Sequence, residues 1–238
     1  MPLWHVSGWL RWDYRRSCVH ATQPAASTRP MVSISRMQRV ESSLQPEYAD
    51  RLASLSGKWW KRWLPNPYRW HIRARCGANV LDVGCGVGRC LGFLGPGRAV
   101  GVDPNAASIE IARSRGFSAF TPDEFSEHFA DVRNFDTLLC SHVLEHLSAA
   151  ESEALLREWL PRVVPGGRVV LICPQARGQA SDPTHVRLMD PAALRDVCAA
   201  VGVEVDRVVS FPLPRWFGRW WVHNETVLVG SVGPRVDA

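Results

Sequence analysis

The chain has 238 residues, 46% of them apolar, with a formal net charge of +5 at neutral pH. That length suffices for one well-buried α/β domain with extensions. Seven cysteines, an odd number without a Cys-x-x-Cys pair, argue against a disulfide framework or a zinc site and for small core residues in a reducing compartment. No apolar run approaches the ~18 residues needed to span a bilayer, and Arg15-Arg16 is not followed by the apolar segment of an export signal. A cytoplasmic protein is therefore expected. Lys58 and Lys61 are the only lysines, so arginine carries the positive charge. The surplus is modest and bears on partners, not on fold.

Residues 1–40 mix Trp4, Trp9 and Trp12 with Arg, Ser, Thr and Pro and show no sustained period, so a disordered or loosely packed extension is expected there. Met31 or Met37 is an alternative start. Residues 41–78 read as a helical cap. Leu44, Tyr48, Leu52 and Leu55 recur at helical spacing between Ser43 and about Leu64. The stretch Lys58-Trp59-Trp60-Lys61-Arg62-Trp63 leads to Pro65, Pro67 and Trp70. Interleaved Trp and cations suit a membrane surface, an amphiphilic acidic ligand or nucleic acid. They suit equally a helix whose tryptophans pack inward while its cations stay wet.

From residue 79 to 232 strands and helices alternate. Val80–Val83 reads as a strand, Val87–Leu94 as a short helix stopped by Gly95-Pro96-Gly97, and Ala99–Val102 as a strand. A helix over Asn105–Gly116 and a strand over Phe117–Phe120 follow. Thr121-Pro122-Asp123-Glu124 carries the signature of a capped helix start. Phe135–Cys140 is the fourth strand. Ser148 with Glu151 opens a helix running to about Val164, before Pro165-Gly166-Gly167, and Arg168–Cys173 is the fifth strand. A polar loop spans 174–189, Asp190-Pro191 opens a helix ending near Gly202, and Val203–Ser210 and Glu225–Val232 are the last strands. Residues 233–238 form a tail. The alternation implies a doubly wound, mostly parallel sheet with helices on both faces. Ligands of such sheets sit beyond the carboxyl ends of the strands, at the point where strand order reverses.

The polar residues cluster where that rule places a site. Val83-Gly84-Cys85-Gly86-Val87-Gly88 is a tight glycine turn between the first strand and its helix. Such a turn lets a ligand approach the backbone closely. Asp103 follows the second strand, 19 positions after Gly84, where a carboxylate can accept from two vicinal ribose hydroxyls. Asp123, Ser141, His142 and the 174–189 loop fall at the same edge. The nicotinamide-dinucleotide fingerprint spaces its glycines Gly-x-Gly-x-x-Gly, unlike the alternate glycines here.

Val80–Arg89, Val100–Asn105, Phe135–Leu147 and Leu160–Pro174 together resemble the successive motifs of class I S-adenosylmethionine-dependent methyltransferases, over about residues 40–232. The resemblance implies a Rossmann-like seven-stranded sheet with its last strand antiparallel, and S-adenosyl-L-methionine as cofactor. It implies that the Gly84, Cys85 and Gly86 backbone meets the methionine end, that Asp82 orients the ammonium end, and that Asp103, followed by Pro104, holds the ribose. Asp123 falls at the adenine edge, and Ser141 and His142 face the crevice. Transfer to oxygen also calls for a base, and His185, in the loop after the fifth strand, and His142 are the candidates, with His146 behind them. His142, Glu145 and His146 stand at i, i+3 and i+4, as in metal-binding quinone-type O-methyltransferases, but histidine occupies the first place and no metal is expected.

The expected reaction is O-methylation of a small-molecule, lipid or sugar acceptor. Trp and Arg clusters at 58–73 and 215–221 point to an apolar, anionic acceptor or to peripheral membrane contact. Nucleic acid is the less favoured acceptor, and an RNA- or protein-directed enzyme and a non-catalytic binding module remain the rival readings. No Asn-Pro-Pro-Tyr-like motif follows the fourth strand.

Overall fold

The computed structural model describes residues 66–233 apart from residue 131. The expected extension over 1–40, the helix over 43–64, the Lys58–Trp63 cluster and residues 234–238 of the tail lie outside the described residues.

The chain runs α1 (Pro67–Arg75), β1 (Val80–Val83), α2 (Arg89–Leu94), β2 (Ala99–Val102), α3 (Ala106–Ser114), β3 (Ala119–Phe120), α4 (Pro122–His128) and β4 (Phe135–Ser141). Then come α5 (Ala149–Trp159), β5 (Val163–Pro174), α6 (Ala176–Gln179), α7 (Pro191–Ala200), β6 (Val203–Phe211) and β7 (Glu225–Val232). Short 3₁₀ turns cover Leu144–His146, Leu160–Arg162 and Arg215–Arg219. The strands form one sheet in the order β3-β2-β1-β4-β5-β7-β6. β3 to β5 pair in parallel, and β7 runs antiparallel to both β5 and β6. Strand order reverses between β1 and β4, which places the switch point at the glycine turn and at Ser141-His142.

Side-chain alternation divides the core into two layers. Leu81, Val83, Leu138, Cys140, Val169 and Leu171 face one side, with Leu156, Trp159, Leu194 and Val197 of α5 and α7. Val80, Leu139, Val170 and Ile172 face the other, with Ile72 of α1 and Cys90 and Leu94 of α2. Burial on both faces explains why β1, β4 and β5 read as continuous apolar runs. By the same alternation Asp82 shares the face of Val80, inside the sheet, at 1% exposure. The six described cysteines are all buried and unpaired.

The caps form as expected. Thr121 and Glu124 close a capping box on α4, as do Ser148 and Glu151 on α5, and Asp190 accepts from the amides of Ala192 and Ala193. Three boundaries differ most. The helix opened by Ser148 ends at Trp159, and β5 starts at Val163 rather than Arg168. Phe135 pairs with Val163 and Thr137 with Arg168, so Pro165-Gly166-Gly167 is an excursion inside a strand. Val163-Val164 fits either a helix end or a strand start by periodicity, and only the partner strand decides. β3 has two residues, not four. The 174–189 loop holds the single turn α6, and α1, capped by the Asn66 side chain with Pro67 at its first position, forms the described part of the 41–78 segment.

Candidate active site

The site is built at the carboxyl ends of β1, β2 and β4. As β1 ends, the amides of Gly84 and Cys85 both donate to the Val102 carbonyl, at 2.8 and 3.1 Å, which pulls the turn over the end of β2. Gly84 (φ +79°) and Gly86 (φ +49°) take the left-handed conformation. A Cβ at Gly84 would overlap the Val143 side chain, so that glycine also lets the segment after β4 close against the turn.

Asp103 locks this arrangement. Its Oδ2 accepts from the Gly86 amide at 2.8 Å and its Oδ1 from the Asn105 amide at 2.9 Å. Burial raises its pKa, and the Asn105 and Gly86 amides offset that only in part. Each oxygen keeps a second lone pair. Asp82 behaves differently. Its Oδ2 is buried with no hydrogen-bond partner. Burial, followed by the Asp103 charge, pushes its pKa up to about 7. An orphaned carboxylate oxygen of this kind lacks a cation or donor. Cys85 is buried, and burial holds its thiol well above the ordinary range, so its backbone is what it offers a ligand. Pro104 is half-buried beside Asp103. Asp123 is exposed on the first turn of α4. Glu124, not Asp123, completes the capping box and pairs with Arg113 at 2.7 Å, so Asp123 is left out of the cap.

After β4, Ser141 lies beside the Cys90 thiol. His142 is the one described non-glycine residue with positive φ, at 60°. Its Nδ1 lies 3.1 Å from Glu145 Oε1 and its Nε2 2.9 Å from Glu225 Oε1. Burial alone would lower its pKa, but the hydrogen bonds and charges of Glu145 and Glu225 carry it up to about 10. Glu145 moves the opposite way: burial raises it, and the bond to His142 brings it below its ordinary value. An imidazolium with both nitrogens donating has no lone pair for a substrate proton. The i, i+3, i+4 set therefore does not converge on a common point, because His142 is turned toward β7.

The loop after β5 supplies a different grouping. Amides of Val186 and Arg187 donate to the Glu145 carbonyl, at 2.8 and 3.2 Å, tying the loop to the 3₁₀ turn. His146 and His185 then meet edge to face, ring centroids 4.8 Å apart. Ligand-capable atoms of Glu145, His146 and His185 all lie within 4.8 Å of one another. His146 Nδ1 lies 3.2 Å from the Thr184 carbonyl and His185 Nδ1 3.0 Å from the Gln179 carbonyl. A carbonyl only accepts, so both Nδ1 atoms carry protons; the Thr184 hydroxyl, also 3.2 Å from His146 Nδ1, donates to Asp182, and the acceptor atom of either imidazole in its neutral form is Nε2. Burial, only partly offset by the Glu145 charge, lowers the His146 pKa.

Sequence reasoning did not find Glu225, which stands 83 positions from His142 and meets it only because β7 inserts beside β5. Nor did it find the buried amide network of Gln175 and Asn224. Asn224 donates to Gln175 Oε1 at 3.0 Å, and Gln175 donates to the Glu225 carbonyl at 2.9 Å, anchoring the 211–224 connection to the strand ends. No pattern in the chain announces these contacts. Of the aromatic clusters, Trp70, Trp216 and Trp220 are exposed at 79, 56 and 68%. No described helix is long and apolar enough to cross a membrane.

The doubly wound sheet thus presents at its switch point a glycine turn, a backbone-braced carboxylate and an orphaned buried carboxylate. A family model described as a methyltransferase domain matches residues 42–225, more than half of the chain, and the chain belongs to that family. S-adenosylmethionine is its cofactor. The chain is similar to the probable tRNA methyltransferase 9B of Bos taurus, 29% identical over 56% of this chain and 27% of that protein. It is also similar to the ubiquinone biosynthesis O-methyltransferase of Idiomarina loihiensis, 25% identical over 58% of this chain and 64% of that one. It thus spans less than two thirds of either relative. Among solved structures, magnesium protoporphyrin IX methyltransferase from Synechocystis PCC 6803 with bound S-adenosylhomocysteine shares the fold at TM-score 0.59 and 16% identity, covering 83% of this chain and all of that one. A methyltransferase from Archaeoglobus fulgidus does so at TM-score 0.55 and 19% identity, covering 69% and 91%.

Proposed function

We propose that this chain transfers the methyl group of S-adenosylmethionine to an oxygen of a small-molecule, lipid-like or sugar acceptor. The observation that carries the cofactor part is the pairing of Asp103 with the Gly86 amide across the switch point, beside the unpartnered Asp82 oxygen. These residues fit the cofactor. Asp103, held by two amides, offers its free lone pairs to ribose hydroxyls. Asp82 offers a buried anion to an ammonium. The Gly84–Gly86 backbone takes the methionine portion, with Cys85, Pro104 and Ser141 along the wall and Asp123 toward the base.

When bound, S-adenosylmethionine supplies a methyl group already activated on a sulfonium. The chain's own task is then to position the acceptor oxygen and take its proton. His185 suits this through its Nε2, because its Nδ1–H is committed to Gln179. His142 suits it poorly as a base, because both its nitrogens face carboxylates. Its role in this reading is to position Glu145 and the turn after β4.

The alternative acceptor is RNA, favoured by the similarity to tRNA methyltransferase 9B and by the net charge of +5. Labelled cofactor supplied in parallel to RNA, protein, lipid and small-molecule pools separates the two. Label entering the small-molecule or lipid pool, reduced at least tenfold by His185→Ala, is expected. Label confined to RNA overturns the acceptor assignment. Failure of S-adenosylhomocysteine to bind overturns the whole reading.

A further inference from the structure

We propose that Glu145, His146 and His185 form a binding site for one first-row divalent transition metal ion, of the Zn²⁺ or Mn²⁺ class, at the acceptor side of the crevice.

Three independent features converge on it. The first is the donor set itself: a carboxylate and two imidazoles whose ligand atoms lie within 4.8 Å of one another, so that an inward turn of the side chains would bring all three to the ~2.1 Å that one ion requires. The second is the state of the carboxylate. Glu145 is fully buried, one oxygen is held by His142, and Oε2 has no hydrogen-bond partner. The buried Cys173 thiol, a weak donor, lies beside this carboxylate. A buried carboxylate oxygen left in that state is costly unless something cationic meets it. The third is the fixing of the imidazoles. Each directs its Nδ1–H at a main-chain carbonyl, Thr184 for His146 and Gln179 for His185. That outer bond sets the tautomer and leaves Nε2 as the ligand atom of each ring, as in protein zinc sites.

The set differs from the i, i+3, i+4 arrangement of the sequence. His142 has left it for Glu225, and His185 arrives from a loop 39 positions after His146. What holds the loop in place is the pair of Val186 and Arg187 amides on the Glu145 carbonyl and the Asp182 side chain on Thr184. Two imidazoles and one carboxylate favour a transition ion over Mg²⁺ or Ca²⁺, which prefer all-oxygen shells. Three protein ligands leave coordination positions for water or an acceptor oxygen, whose pKa the ion would lower; with Nε2 of His185 taken up by the ion, that lowering would replace the base role of His185 in the ion-free protein. That role rests on the methyl-transfer reading above; the binding of the ion does not.

The test uses the full chain purified without a histidine tag, stripped with chelator, and titrated with Zn²⁺ by calorimetry, with no cofactor or acceptor present. One ion per chain is expected, undisturbed by millimolar Mg²⁺. Loss of a direct ligand in His185→Ala should weaken binding at least tenfold, since removal of an outer-shell partner alone typically costs about 10–100-fold. His128→Ala, a histidine outside the cluster, should bind as the parent does. Thermal melting guards against misfolding: in chelator His185→Ala should melt with the parent, and Zn²⁺ should raise the parent's transition and not the variant's. Absence of stoichiometric binding, or equal affinity in His185→Ala, overturns the site. S-adenosylhomocysteine binding in the same stripped protein reports separately on the methyltransferase reading, so the two failures are distinguishable.

Discussion

The Asp103 carboxylate and the Gly86 amide are 2.8 Å apart, although they belong to different strands' exits and are separated by 17 positions. One side chain therefore shapes the glycine turn and, in the proposed reading, also holds the cofactor. Asp103→Ala removes both functions. It should weaken S-adenosylhomocysteine binding by about 10- to 100-fold, the range expected when a charged hydrogen-bond acceptor is lost. Calorimetric titration checks this, and a variant that binds like the parent would refute the ribose assignment.

In the proposed reading Asp82 makes cofactor binding pH-dependent. Its pKa is raised from 3.8 to about 7 by burial and by the Asp103 charge. In the protein without cofactor, the native state thus holds a proton that the unfolded chain has released, so stability should fall as pH rises from about 4 to about 7 and level off above. An ammonium placed against Asp82 favours the carboxylate, so cofactor binding near pH 6.5 should release a proton. Titrations in buffers of different ionisation enthalpy measure that release. Asp82→Asn should abolish it and flatten the stability slope.

Gly84 is confined by its φ of +79° and by Val143. Gly84→Ala should cost about 2–4 kcal/mol from the left-handed backbone and the overlap together. Adding Val143→Ala relieves the overlap alone. The double variant should therefore melt above Gly84→Ala. If it melts at or below the single variant, the steric account is wrong.

Glu225 is 5% exposed and faces His142. Glu225→Ala should destabilise the fold by about 3 kcal/mol, at the low end of losses from broken buried ion pairs because a third of the imidazole is open to the crevice. Chemical denaturation measures it. The exposed pair Arg113–Glu124 is the contrast: Arg113→Ala should cost about 1 kcal/mol or less.

Much of this molecule was legible along the chain because its information is local. The capping boxes at Thr121 and Ser148, the alternate glycines after Val83 and the carboxylate after Val102 each depend on neighbours within a few residues, and apolar runs report strands buried on both faces. Wherever a side chain's state depends on a distant partner, the chain was silent. His142 read as a base, and β7 brought Glu225 to it and made it a cation. His185 read as a candidate base in the loop after the fifth strand, and two amides on the Glu145 carbonyl delivered it to His146. Local sequence determined the elements, their order and the glycine turn. Only the tertiary structure decided which carboxylates stayed unpartnered and which imidazoles kept a free nitrogen, because charge and burial at a site are set by everything that packs there.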